Sequence, residues 1–188
     1  MIKTISFVAL GFAIAFGVVL AYAATRPDTF RIARSTSIKA PAEKIFPLIN
    51  DLRAQITWSP FEKDPNIKRT HSGSPQGTGA VYEWDGNREV GAGRIAITDS
   101  QPSSRVTLSL DMTKPFAMHN IVEFTLEPRG ESTGVTWSMH GEQPFLAKVM
   151  SVFIDCEKMV APQFEEGLAR LKALAETQAV AATPAAAR

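Results

Sequence analysis

The chain has 188 residues, 45% of them apolar and 21% charged, with a formal net charge of +1. That suffices for one domain with a sizeable core, and with no basic run interleaved with aromatics the footprint of a nucleic-acid-binding protein is excluded. A single cysteine, Cys156, excludes an internal disulfide and leaves no cysteine pair for a metal site.

In chain order, Ile5 to Ala24 comes first and carries no charge over 20 residues, a length that crosses the hydrocarbon core of a bilayer as a helix. Lys3 before it and Ala21-Tyr22-Ala23 at its end also resemble a cleavable signal peptide, but the apolar run is longer than the usual h-region. The preferred expectation is an uncleaved anchor over residues 1–25, with a signal peptide as the alternative. Either reading is membrane-directed, and the anchor implies a membrane-anchored protein with a single N-terminal span and a periplasmic or otherwise extracytoplasmic domain. The charges do not orient the span, because Arg26, Arg31 and Arg34 follow it while Lys3 precedes it.

The domain is expected over residues 26–176. From Phe30, the residues RIARSTSI alternate as in a half-buried strand. Ala40-Pro41 opens a short helix through AEKIFPLIND, which Pro47 should kink or shorten. A second short helix is expected over Asp51 to Thr57, and WSPFEKDP, with two prolines, as an ordered loop. Strand signals follow at Ile67–His71, Gly79–Trp84, Glu89–Thr98, Arg105–Met112, Phe116–Glu127 and Gly134–His140, an antiparallel meander with Asp85-Gly86-Asn87 as a tight hairpin turn. After Pro144 the period changes to 3.6. Phe145, Val149, Phe153, Val160, Phe164, Leu168 and Leu171 predict one long amphipathic helix, kinked at Pro162. The Ala-rich residues 177–188 read as a disordered tail.

Two motifs are decoys. The glycines between Gly77 and Ile95 open or interrupt strands and precede no helix, so they cannot present phosphate to a helix N-terminus. Within a strand, Gly91 and Gly93 permit close backbone approach or a strong bend, which makes this stretch the wall of a cavity. Gly130-Glu-Ser132-Thr-Gly134 matches a nucleophile elbow, yet a strand follows it where the elbow needs a helix. His71, His119 and His140 have no metal-ligand spacing, and His119 and His140 fall off the apolar faces of their strands. Cys156 lies on the apolar stripe of the last helix and reads as a small buried hydrophobe. No cofactor and no metal is expected.

What remains is a surplus of large inward-facing side chains on a curved sheet that one helix must cover. Such an arrangement leaves space, and ligand cavities are lined by this kind of apolar and aromatic residue. The expected lining is Trp58, Tyr82, Trp84, Leu108, Phe124, Trp137 and Met150. No catalytic residue is assigned. The strand charges Glu83, Arg94, Asp111 and Glu123 are the ones to inspect, and parity puts Glu83 and Glu123 opposite the apolar stripes.

STSIKAPAEKIFPLIND resembles the opening strand and helix of the START-like, or SRPBCC, superfamily, with its I-x-A-P-x-E-x-V-W/F pattern. WSP, GTGAVYEW, GAGRIAITDSQPSSRV, FTLEP and the helix after GEQPF agree in order. The likeness spans Phe30 to Ala175 and is strongest to the polyketide cyclase/dehydrase and lipid-transport group, in a bacterial subset with an N-terminal membrane segment. It implies an α+β helix-grip fold, a curved antiparallel sheet wrapped around a long C-terminal helix and preceded here by a hydrophobic N-terminal helix. It also implies a hydrophobic small molecule or lipid as the partner. The leading expectation is therefore membrane-tethered binding of such a molecule between sheet and helix. The alternatives are a cyclase- or dehydratase-like enzyme using the same cavity, and an interaction protein whose WSPFEKDP loop meets a partner.

Overall fold

The computed structural model describes residues 2–153 and 155–181, except for the side chains of residues 2–10, 12, 156, 180 and 181. The elements in order are α1 (Ile2–Ala24), β1 (Thr29–Ile38), α2 (Ala42–Asn50), α3 (Leu52–Gln55), β2 (Lys68–Gly73), β3 (Ala80–Asp85), β4 (Ala92–Gln101), β5 (Arg105–Lys114), β6 (Met118–Arg129), β7 (Ser132–Glu142), α4 (Phe145–Met150) and α5 (Cys156–Ala181). All seven strands pair antiparallel in the order β1-β7-β6-β5-β4-β3-β2. The helices α2 and α3 carry the chain from one edge of the sheet to the other.

Alternation builds the sheet as expected. Along β6, Asn120, Val122, Phe124 and Leu126 are buried while the residues between them are partly exposed. Register shifts at Ala92/Gly93 and Ile97/Asp99 interrupt the β4–β5 ladder, and such bulges bend and twist the strand that carries them. The helix α5 presents Ala161, Phe164, Leu168, Leu171 and Ala175 to the concave face, all nearly inaccessible to solvent. It lies along the β1 edge, where Arg34 bonds Glu157 at 3.2 Å and Glu165 at 2.9 Å, and Glu176 accepts from the Lys39 backbone N–H at 2.8 Å.

Three expectations need correction. A single N-terminal membrane span is the first: among the described residues no helix is long and apolar enough to cross a membrane. The uncharged run does form a helix, but its last turn docks on the domain. Ala23 is buried, the Arg26 guanidinium donates to the Ser151 carbonyl at 3.4 Å, and it lies 5.5 Å from the centre of the Tyr22 ring. The stretch Ile5 to Leu10 has its side chains outside the described residues. The membrane-anchored location read from this segment falls with the span.

The second is the single C-terminal helix, which is two. The chain turns after Met150, with the Ser151 N–H bonded to the Ala147 carbonyl and its hydroxyl to the Lys148 carbonyl. Asp155 then starts α5 by accepting from the Lys158 N–H at 3.2 Å, which satisfies one of the donors a helix start leaves free. Lys148 is buried and paired with Asp28, fixing α4 beside the start of β1. Pro162 sits in the second turn of α5, which runs on to Ala181, so residues 177–181 are helical; residues 182–188 lie outside the described ones.

The third is the Asp85-Gly86-Asn87 turn. Between β3 and β4 the chain makes a six-residue loop, Gly86 to Gly91. The Asn87 side chain accepts from the Glu89 and Val90 N–H groups, and buried Asp64 accepts from the Asn87 N–H at 2.7 Å. A carboxylate from a distant loop thus replaces the tight-turn geometry.

The helix α5 comes close to the sheet at Gly167, where an added Cβ would lie 2.6 Å from Trp137 Cζ3 and 2.9 Å from Pro60 Cδ. Alanine in a helix gains about 1 kcal/mol over glycine, whereas overpacking a rigid core costs about 1–3 kcal/mol. Trp137 has nowhere to go, since it stacks on Phe164 at 4.2 Å. Gly167→Ala is therefore expected to lower stability by about 1–2 kcal/mol in urea unfolding; an equal or higher unfolding midpoint would contradict this packing.

Candidate functional site

Because α5 follows the β1 edge, it covers only part of the concave face. Beneath it the space is filled: Trp137 stacks on Phe164 with rings 7° apart, and Trp58 meets Phe124 and Trp137 edge-on at 5.9 and 5.8 Å. Trp58 is locked there by its indole N–H, which donates to the Leu48 carbonyl at 2.9 Å. Toward β3, β4 and β5 the long helix α5 does not reach. The roof is α3 with the following loop, and a cavity of about 320 Å³ remains open between it and the sheet. That size is at the lower end for small-molecule sites, which run from roughly 300 to 1,000 Å³.

The floor of the cavity follows the register. Tyr82 faces Ile95, Ile95 faces Leu110, and Leu110 faces Asn120, so one row of side chains crosses four strands. The neighbouring row holds Trp84, Gly93, Met112 and Met118. At Gly93 an added Cβ would sit 2.9 Å from the Trp84 ring. The close approach inferred for this glycine is thus made by an indole lying over the next strand.

One end of the cavity is polar. Glu62, in the loop after α3, accepts from the Tyr82 hydroxyl at 2.8 Å and from Arg69 Nε and Nη2 at 3.0 and 2.6 Å. The Glu62 side chain is 12% exposed and borders the cavity, so its charge is offset by Arg69 in a mostly dry setting. Burial, and then the bond to Glu62, push the Tyr82 phenol above the ordinary tyrosine range. His71 stacks on Tyr82 at 4.9 Å, and burial lowers its pKa, helped by the charge of Arg53. The mouth is tied together by Asp64, which accepts from the Asn66 and Asn87 N–H groups and so joins the loop after α3 to the β3–β4 loop.

Five of the seven residues expected to line a cavity, Trp58, Tyr82, Trp84, Phe124 and Trp137, border this one. Leu108 is fully buried in the core beside it, and Met150 is half-exposed at the end of α4, so neither is among the bordering side chains. None of Glu83, Arg94, Asp111 and Glu123 borders it either: Glu83 faces Arg94 across β3–β4, and Asp111 bonds exposed His119 at 2.6 Å. Ser132 bonds the Arg129 carbonyl in a two-residue turn. The Cys156 side chain lies outside the described residues. Among the described residues no three His, Cys, Asp or Glu side chains gather as metal ligands. Glu62, Arg69 and Asn120 were not singled out from the sequence, although Asn120 stands in the inward phase of an apolar strand.

Residues 29–176 match the family described as polyketide cyclase / dehydrase and lipid transport. The chain belongs to that family. No curated protein matches the sequence. Among solved structures, the family member described here is similar to protein CV1439 from Chromobacterium violaceum, at 17% identity and a TM-score of 0.54, covering 80% of this chain and 99% of that one. It is also similar to protein MLL2253 from Mesorhizobium loti, at 13% identity and a TM-score of 0.59, covering 79% and 98%. DynU16, from the dynemicin biosynthetic locus, aligns at 17% identity and a TM-score of 0.54 over 82% of this chain and 49% of its own. At these identities the likeness is one of fold.

Because burial holds the His71 pKa below its unfolded value, the unfolded chain binds the extra proton as pH falls. The contribution of His71 is therefore present above the ordinary histidine pKa, about 6.5, and is lost as pH drops below it. In urea unfolding between pH 8 and pH 5, His71→Phe is expected to show a smaller acid loss of stability than the parent. Parallel profiles would remove this assignment.

Proposed function

We propose that the protein binds a hydrophobic small molecule or lipid in the cavity between the sheet and the roof of α3 and its following loop. The observation that carries this reading is the half of the concave face that α5 leaves free, where Ile95, Leu110 and Val122 form an apolar floor beneath α3 and its loop. Membership of a family described as polyketide cyclase / dehydrase and lipid transport supports an apolar ligand.

A cyclase- or dehydratase-like reaction would need a proton-transfer group aimed at the substrate. The strand charges do not border the cavity, and the two carboxylates that do, Glu62 and Glu89, are paired with Arg69 and Lys63. Binding is the reading these contacts favour. Nothing in it requires tethering to a membrane.

All three tryptophans of the chain border the cavity, so their emission reports on its contents. Titration of the full-length protein with decan-1-ol is expected to give a saturable change in tryptophan fluorescence. Leu110→Phe, which narrows the floor, should weaken that binding about tenfold while far-UV circular dichroism stays unchanged; tenfold corresponds to about 1.4 kcal/mol. Absence of a saturable response to decan-1-ol and to other apolar probes would overturn the proposal.

A further inference from the structure

The floor of the cavity is apolar, but the row that crosses it is polar at both ends. At one end stand Tyr82 and, above it, Glu62. At the other, three strands away along Tyr82, Ile95, Leu110 and Asn120, is an asparagine. Strands lie about 4.8 Å apart, so the backbone positions of the two ends are separated by about 14 Å.

Asn120 is only 3% exposed and borders the cavity. Among the described residues its side-chain amide has no hydrogen-bond partner. The side chain rests on its register partner Gly141, where an added Cβ would come within 2.2 Å of Oδ1. Its polar atoms are not sealed from solvent but open onto the cavity, and its neighbours along β6, Val122 and Phe124, offer nothing polar. A partner entering the cavity satisfies it. The Glu62 carboxylate, for its part, has about four acceptor positions, and Tyr82 and Arg69 supply three donors. The remaining position suits a neutral donor such as a hydroxyl. A second carboxylate would meet like charge there.

We propose that the cavity selects an uncharged, elongated apolar molecule with an oxygen function at each end, a hydroxyl held by Glu62 and a hydroxyl or carbonyl held by Asn120. This rests on the binding function proposed above and adds the ligand's polarity pattern to it.

The test compares α,ω-alkanediols of six to twelve carbons with 1-alkanols and alkanoates of equal carbon number. It uses the full-length protein at pH 8, with tryptophan emission as the readout. An all-apolar wall would prefer the alkanol, because the second hydroxyl would lose its water without compensation. The proposal expects the reverse: at one chain length the diol binds about tenfold more tightly than the alkanol. Asn120→Leu should abolish that preference while alkanol binding persists. The alkanoate should bind the parent about tenfold more weakly than the alkanol, and Glu62→Gln, which frees the Arg69 charge, should narrow or invert that gap. A diol that binds no better than the alkanol at any length, or an alkanoate that binds the parent as well as the alkanol, overturns this inference and leaves the cavity reading standing. If no alkanol or diol binds at all, both fall.

Discussion

The stack of Trp137 on Phe164 decides the shape of the interior. A helix crossing a curved sheet has to settle on some part of it, and here two large flat rings in contact, with Trp58 and Phe124 set edge-on around them, hold α5 toward β1 and β7. Offset and edge-to-face aromatic pairs add of the order of 1 kcal/mol each beyond the area they bury. The ion pairs from Arg34 keep the same alignment on the solvent side, though exposed pairs of this kind contribute little by themselves. With the helix fixed on one half, the other half of the concave face is left to loops. A short helix and a proline-containing loop bridge that gap without filling it.

The division between filled and open halves also sorts the polar groups. Charges placed on the strands by alternation face away from the cavity and meet each other across the ladders, as Glu83 does with Arg94 and Asp111 with His119. The groups that reach the cavity arrive by other routes. Glu62 descends from the roof and is held by an arginine on the edge strand β2. Asn120 occupies an inward position in β6 that alternation would give to an aliphatic residue.

The strand segments and the inward stripes were legible because period-2 alternation is a local property of each segment. The positions of Tyr82, Trp84, Phe124 and Trp137 on the concave face followed from it. Asn120 could have been found the same way, since Met118, Asn120, Val122, Phe124 and Leu126 share a face; a single polar residue in such a stripe is a signal of its own. Glu62 could not, because a loop has no period to say where its side chains point. The break before α5 had a local sign, Asp155 followed by Glu157 in the first turn, but the apolar spacing continued across it and was read as one helix. The six-residue loop between β3 and β4 depends on Asp64, more than twenty residues upstream, and contacts of that kind leave no trace in a short window. The uncharged N-terminal run met a length criterion for a span, yet nothing in its composition announced that its last turn packs against the domain.

The first strand of the sheet pairs with the last. Thr29 to Ile38 lies against Thr133 to Glu142, so the two partners are about a hundred residues apart in the chain, and pairings of such separation close slowly. On the ribosome, β2 through β6 can assemble as a meander while β1 waits with one edge open. The Trp137 stack forms later still, since Phe164 follows β7 in synthesis. The hollow therefore acquires its closed wall only once α5 has been made, and until then its apolar floor is accessible to whatever the nascent chain encounters.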